Sequence, residues 1–436
     1  MKKRNILISL MLLFPASLFS QMTLRDCLIF ARDNAHANLI NNMEVRKAEI
    51  DAKLAGSPLM PYVGFSASGN MSFGRNIDPE TNTYDNRQTV STGFGLQMSM
   101  PLFDGLVNFN NLKAAQTARL RMQKNAIVEQ DRISIEVISA FYEVSYCKAM
   151  VRQMEEQLKR DCKDLDGVMR QEELGTKSGA DVAEIKALVA NDEYELLNRE
   201  NLLRKAYLTL RSKMGMELSS EPIELIEEEG IEEIMTADAS HPKIAEAELL
   251  IKEMRYKLRA AKGQYFPTLS FTGGISTSYY KMVGSDYYTP NFRKQWHDNM
   301  GEYIGVAVSI PLFDGLSTVN SVKYANINLK ESELKLEQTK YELERETIEA
   351  ELSYNSACRE FGAARRRVEA EEVAYRGVRR KFELGMSSAV DLYTSAAKLS
   401  AAIANMEGKR IQRIISLITL NYCKGGQLID RNGYRD

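Results

Sequence analysis

Ser99-Met-Pro-Leu-Phe-Asp-Gly-Leu106 decides the fold, because the chain says it twice: Ser309-Ile-Pro-Leu-Phe-Asp-Gly-Leu316 repeats it 210 residues later. A second pair keeps the same offset, Glu173-Leu-Gly175 with Ser178 and Asp181 against Glu383-Leu-Gly385 with Ser388 and Asp391. Two unrelated motifs sharing one offset point to a tandem duplication, with a period far longer than that of solenoid repeats.

The flanks say what the motif does. Before Pro101, Val90, Thr92, Phe94, Leu96, Met98 and Met100 alternate with Thr89, Ser91, Gly93, Gly95, Gln97 and Ser99, the period of a strand. After Gly105 the period becomes helical. Proline cannot donate to a ladder, and Asp-Gly suits a turn and a helix start. The expectation is a strand-to-helix junction once per repeat, at Pro101, Phe103 and Gly105 and at Pro311, Phe313 and Gly315.

Working outward, each junction ends a hairpin. Val63, Phe65, Ala67 and Met71 alternate with Gly64, Ser66, Ser68 and Asn70, and a turn-rich segment follows at 74–88. In the second repeat Leu269, Phe271, Ile275 and Tyr279 alternate with Ser270, Thr272, Ser276 and Ser278. A polar, aromatic loop at about 281–301 holds the single tryptophan, Trp296, and Ile304, Val306, Val308 and Ile310 form the return face. Four strands of about ten residues, apolar on one face and small-polar on the other, carry no charge within their cores. Such strands suit a packed sandwich or an outer-membrane barrel; strand length and the absence of charge favour the barrel. Four strands cannot close one, and open edges do not survive in lipid, so the barrel reading requires several copies of the chain.

Beyond each junction the chain lacks proline for nearly seventy residues, from about Val107 to Leu174 and from about Ser317 to Leu384, or about 100 Å of helix. Heptad seams run through Val144, Val151, Leu158 and Leu165, through Tyr354, Phe361, Val368, Tyr375 and Phe382, and through Leu329, Leu336, Leu343, Ala350, Ala357 and Ala364. Gly175 and Gly385 are expected left-handed caps, and Ser178 and Ser388 open return helices at about 180–214 and 389–422.

Residues 1–20 have the basic start, apolar run and polar end of an export signal. The chain carries 57 Lys and Arg against 59 Asp and Glu, a net charge of −2, which falls to −5 without Lys2, Lys3 and Arg4. That balance gives no electrostatic case for nucleic acid. Five cysteines have no framework spacing and are expected as packed thiols. His36, His241 and His297 are isolated, so no metal site, cofactor site or enzyme is expected. The division is thus a signal at 1–20, a first repeat at 21–217 (helix, β-hairpin about 59–100, helical hairpin about 104–217) and an acidic connector at 218–241. A second repeat follows at 242–424 (helix, β-hairpin about 267–310, helical hairpin about 314–422), then a tail at 425–436.

This ordered, duplicated set resembles the TolC family of outer-membrane efflux proteins over essentially the whole mature chain. The resemblance implies an α+β membrane protein: a homotrimer with a 12-stranded barrel in outer-membrane lipid, continued by a coiled-coil helical tunnel across the periplasm. It implies a passive exit duct for small molecules or polypeptides, served by a periplasmic adaptor and an inner-membrane pump of RND or ABC type. The competing expectation is a soluble periplasmic coiled-coil scaffold with no channel. On the family pattern, Gly175, Thr176, Ser178, Gly385, Met386 and Ser388 are adaptor-docking tips, and Asp181 and Asp391 line the entrance with Phe382 and Ser387. Family gates carry an arginine at the position of Ser387, an aspartate at that of Thr394 and sometimes a tyrosine at that of Phe382, which leaves their hydrogen-bonded latch open here. Asp181 and Asp391 also suit first-turn acids favoured by the helix dipole.

Overall fold

The computed structural model describes residues 22–77, 82–86, 88–219, 222–226, 241–283 and 290–426. The expected export signal, the acidic run at 227–233, part of each hairpin loop and the end of the tail lie outside these residues. In chain order the elements are β1 (Met22–Thr23), α1 (Leu24–Asn34), α2 (His36–Leu54), β2 (Tyr62–Ser72), β3 (Arg75–Ile77), β4 (Tyr84–Asn86), β5 (Thr89–Phe103), α3 (Val107–Glu173) and α4 (Gly179–Met214). They continue with β6 (Leu225–Ile226), α5 (Pro242–Gly263), β7 (Thr268–Met282), α6 (Phe292–Asp298), β8 (Gly301–Ser309), α7 (Ser317–Glu383) and α8 (Ala389–Cys423). The chain divides into two compact units, one built from Glu44–Gln123 and Ala245–Gln338, the other from the remaining described residues.

The first unit holds one antiparallel sheet in the order β2-β5-β7-β8, so both hairpins lie side by side. The register keeps the two faces separate: Val63, Met98, Gly273 and Ile304 form one cross-strand row, and Phe65, Leu96 and Ile275 the next, which ends at Glu302 near the start of β8. Between them on the other face run Gly64, Gln97, Gly274 and Tyr303, then Ser66, Gly95, Ser276 and Gly301. Ile304, 82 % exposed, with Val306, Val308, Phe65 and Val63, leaves the apolar face open to its surroundings. β2 and β8 each have one unpaired edge within the chain.

At the first junction the strand passes through the motif. β5 continues through Pro101 to Phe103 with a register shift there, whereas β8 stops at Ser309, before Pro311. Proline is tolerated in β5 because it sits at the irregularity, where the ladder is already interrupted. Both Gly105 and Gly315 are left-handed, as are Leu106 and Leu316. The Asp104 and Asp314 carboxylates then accept from the Asn108 and Thr318 backbone N–H groups, each at 2.8 Å, supplying the helix start. A Cβ on Gly105 would lie 2.1 Å from the Gly263 carbonyl oxygen, so the end of α5 packs directly on this turn; a Cβ on Gly315 would meet nothing within 4 Å.

α3 and α7 are each 67 residues long, without a break at the repeat offset. In the second unit Ile133, Val137, Phe141 and Val144 of α3 pack with Leu24, Cys27 and Leu28 of α1, Tyr207, Leu210 and Met214 of α4, and Ile411 and Ile418 of α8. The helix expected at the start of the first repeat, ahead of the hairpin at about 59–100, is two helices broken at Ala35. The break has a cause: the left-handed Gly215 ending α4 sits so close that its Cβ would lie 2.3 Å from the Asn34 oxygen. Buried Asn38 donates to the Ala31 carbonyl beside the break at 3.1 Å. Four further features differ from the sequence reading. β1 pairs in parallel with β6 inside the connector, β3 and β4 extend the first hairpin, α6 lies within the second loop, and β5 runs past residue 100 to 103. No described helix is long and apolar enough to cross a membrane.

Candidate entrance at the hairpin tips

Each long helix ends on the same backbone device. Gly175 and Gly385 have φ of 73° and 71°. Their N–H groups donate to Glu172 and Phe382 carbonyls at 2.8 and 3.0 Å, and the next N–H groups, of Thr176 and Met386, reach back to Gln171 and Lys381. These paired bonds satisfy carbonyls that a helix end would orphan. The chain then reverses, and the return helix starts on a capping box. Ser178 Oγ accepts from the Asp181 N–H at 3.3 Å, while Asp181 Oδ2 accepts from the Ser178 N–H at 2.9 Å and its hydroxyl at 2.8 Å. Ser388 and Asp391 repeat this at 3.1, 3.2 and 2.8 Å.

Both carboxyl groups are held below their usual range, Asp181 by the Ser178 backbone and hydroxyl, Asp391 by the Ser388 hydroxyl and backbone and then Ser387. They therefore keep their charge at every ordinary pH while serving as caps, so capping and an acidic entrance are compatible roles. Ser387 donates its hydroxyl to Asp391 Oδ2 at 3.1 Å. Thr394 instead turns back to the Val390 carbonyl within its own helix.

Phe382 joins the two hairpins. Its ring lies under Lys177 Nζ at 5.5 Å and packs with Val168, Val182, Ile185 and Ala389. Around the turns, Leu174, Leu384, Met386 and Val390 are exposed.

Further up the hairpins lie polar contacts that the repeated motifs do not contain. Arg379 of α7 donates to Asp164 of α3 at 3.4 Å and to Tyr375 at 3.2 Å, and it pairs with Glu383 at 3.5 Å. Buried Asp161 and Asp192 face one another, and Gln157 donates to Asp192 at 3.0 Å. One oxygen of Asp161 is buried without a hydrogen-bond partner. Burial first, then the hydrogen bond and charge of Asp192, push the Asp161 carboxyl up to about 8. The repeat mates of Asp164 and Arg379 are Ala374 and Met169. Both pairings thus lie outside the duplicated motifs, and only an odd run of acids at 161–166 in the sequence hints at them.

The family described as outer membrane efflux protein matches residues 32–216 and 234–426. Among curated relatives, the probable efflux pump outer membrane protein TtgC of Pseudomonas putida is 22 % identical over 423 residues, covering 91 % of this chain and 83 % of TtgC. The outer membrane efflux protein BepC of Brucella suis is 23 % identical over 410 residues, 92 % of this chain and 84 % of BepC. Among solved structures, the outer membrane protein VceC of Vibrio cholerae superposes with a TM-score of 0.75 at 16 % identity, covering 93 % of this chain and 96 % of VceC.

Proposed function

The chain belongs to the outer membrane efflux protein family, and on that premise we propose that it is the outer-membrane exit duct of a tripartite efflux or type I secretion system. The observation that carries this reading is the four-stranded sheet: one face apolar except for Glu302 and Lys281 toward the loop end, one face mostly small and polar, and two open edges. In lipid every backbone group must be paired, so the edges of β2 and β8 need other copies of the chain. Three copies make an even, 12-stranded barrel whose apolar face meets lipid and whose Gly- and Ser-rich face lines water.

The homotrimer is supported by surfaces that the single chain leaves uncovered. Ile327, Leu334, Tyr341 and Ile348 stand exposed at seven-residue spacing on α7, a seam with no mate among the described residues of its own chain. The protein lies in the outer membrane and extends into the periplasm through its helical hairpins. At their tips, exposed Leu174, Leu384 and Met386 offer apolar contacts for a periplasmic adaptor, and the capped acids ring the entrance. The duct is passive; work is done by the inner-membrane pump, and the duct provides a water-filled path. A soluble scaffold, the competing reading, would have to leave the apolar sheet face in water, at a cost of roughly 25 cal/mol per Å².

The test is the mass of the particle extracted from outer membranes in detergent, detergent subtracted, followed by single-channel conductance. A trimer that conducts supports the duct; a monomer released without detergent refutes it. Asp181→Asn with Asp391→Asn leaves the Ser178 and Ser388 caps in place, and an Asn side-chain oxygen at the third helical position can still accept from the serine N–H, but the charge is removed. Cation selectivity is expected to fall with assembly unchanged, and an unaltered current record would return both acids to a purely capping role.

A further inference from the structure

α6 is seven residues long, and the sheet explains its position. β5 and β7 have fifteen residues each, whereas β8 has nine and begins opposite Ser276. Residues 277–282 of β7 therefore extend past β8, at the end of the sheet opposite the junctions, with one edge unpaired by any strand. α6 takes that place. Gln295, buried, accepts from the Tyr280 N–H at 2.9 Å and donates to the Tyr280 carbonyl at 2.9 Å and the Pro290 carbonyl at 2.8 Å. Thr277 donates its hydroxyl to the Trp296 carbonyl, and Asn299 donates to the Ser278 carbonyl. The edge is thus satisfied by side chains instead of a ladder.

This pinning sets the rings of the helix over the apolar face. Trp296 lies 5.0 Å from Phe94, and Phe292 lies 5.6 Å from Tyr279 and 5.6 Å from Trp296. Phe94 and Tyr279 belong to the apolar rows of the sheet. Both α6 rings nevertheless stay partly exposed, Phe292 at 47 % and Trp296 at 37 %. Arg293 and Lys294 project away from Gln295 on the exposed side of the helix, and no carboxylate among the described residues pairs with either. Asp298 and Glu302 follow in sequence without bonding to them.

The position along the membrane normal follows from strand length. Nine to eleven tilted residues cross a hydrocarbon core, which β8 and β2 supply with nine and eleven. α6 lies just beyond the first residue of β8, at the depth where tryptophan favours the boundary between acyl chain and headgroup. A guanidinium and an ammonium group at that depth meet phosphate oxygens.

The geometry points to α6 as a docking site for a phosphate-bearing lipid headgroup of the outer leaflet, with Phe292 and Trp296 against the acyl boundary and Arg293 and Lys294 on the phosphate. The inference rests on the duct reading, in which the apolar face meets lipid. The lipid is the occupant because the aromatic patch is continuous with that face.

Trp296 is the single tryptophan of the chain, so its fluorescence reports this site alone. The full-length protein is reconstituted in phosphatidylcholine vesicles containing either brominated phosphatidylcholine or brominated phosphatidic acid, with bromine high on the acyl chain. Flotation and crosslinking confirm an inserted trimer first. The expected result is strong quenching by both lipids, with phosphatidic acid favoured several-fold. Arg293→Gln with Lys294→Gln is expected to keep insertion, trimer and quenching, and to abolish the preference. Equal quenching by the two lipids in the unaltered protein overturns the phosphate site while leaving the duct intact. So does quenching by aqueous iodide and by neither lipid. A chain that fails to float with the vesicles overturns the duct and this site together.

Discussion

Asp161 is where a single side chain sets a pH limit on the helical hairpins. It faces Asp192 from α4, with Asp164 and Arg160 on its own helix, and the Arg379–Glu383 pair of α7 adjoins Asp164. Burial and the neighbouring acid raise its pKa in the folded chain to about 8, so between the ordinary carboxylate range and that value the folded state holds a proton the unfolded state has released. Stability is then greatest at low pH and falls as pH rises through this window. Thermal unfolding of the detergent-solubilised protein, followed by far-ultraviolet circular dichroism, should show a midpoint that declines from about pH 5 to pH 8. Asp161→Asn, neutral throughout, should flatten the decline; an unchanged slope would mean that the pair does not share a proton. The capping acids were legible in sequence because Ser-x-x-Asp follows a Gly at both tips. Asp161 was not, because an acid in a charged helix becomes buried only through the helix packed against it.

At the level of elements, the duplication made strands, junctions and long hairpins readable, since each pattern could be checked against its copy 210 residues away. It was least informative where the copies differ. α6 has no counterpart in the first hairpin, which is extended by β3 and β4 instead, and the break at Ala35 depends on Gly215 pressing from α4. The two junctions show how one motif can do unequal work. Gly105 and Gly315 share a left-handed backbone, but only Gly105 is crossed by α5, whose Gly263 would in turn carry a Cβ 2.6 Å from the Gly105 oxygen. Gly315→Ala should therefore cost about 1–2 kcal/mol from the left-handed backbone within the protomer. Gly105→Ala adds a backbone collision that no rotamer relieves, and should prevent the junction from closing. Recovery of folded, heat-resistant protein from membranes measures the difference; equal yields for the two variants would refute the close α5 crossing.

For the whole molecule, the same inequality says which surfaces wait for another copy. The repeat that places α5 on the Gly105 turn gives Gly315 no such cover among the described residues, and its neighbours are among the most exposed apolar residues there, Leu312 at 94 % and Phe313 at 81 %. By the repeat, the element equivalent to α5 is α2, whose later turns expose Ile50 and Leu54 and lead to exposed Met60 and Tyr62. A neighbouring copy that pairs its β2 with this chain's β8 would carry its α2 end to this junction, so barrel closure and burial of Leu312 and Phe313 become one event. Leu312→Glu with Phe313→Glu should leave the protomer's own core untouched, because neither residue contributes to it. It should bury two charges in the trimer, each costing several kcal/mol unless paired. Crosslinking in isolated outer membranes should show the trimer lost, with proteolysis clearing the orphaned chain. The matching change in the first repeat, Leu102→Glu, tests whether the effect belongs to the subunit interface: Leu102 is 51 % exposed beside a junction already crossed by α5 at Gly105, so its variant should fold and assemble nearly as well as the unaltered protein. If both variants trimerise as well as the unaltered protein, the second junction is not a subunit contact.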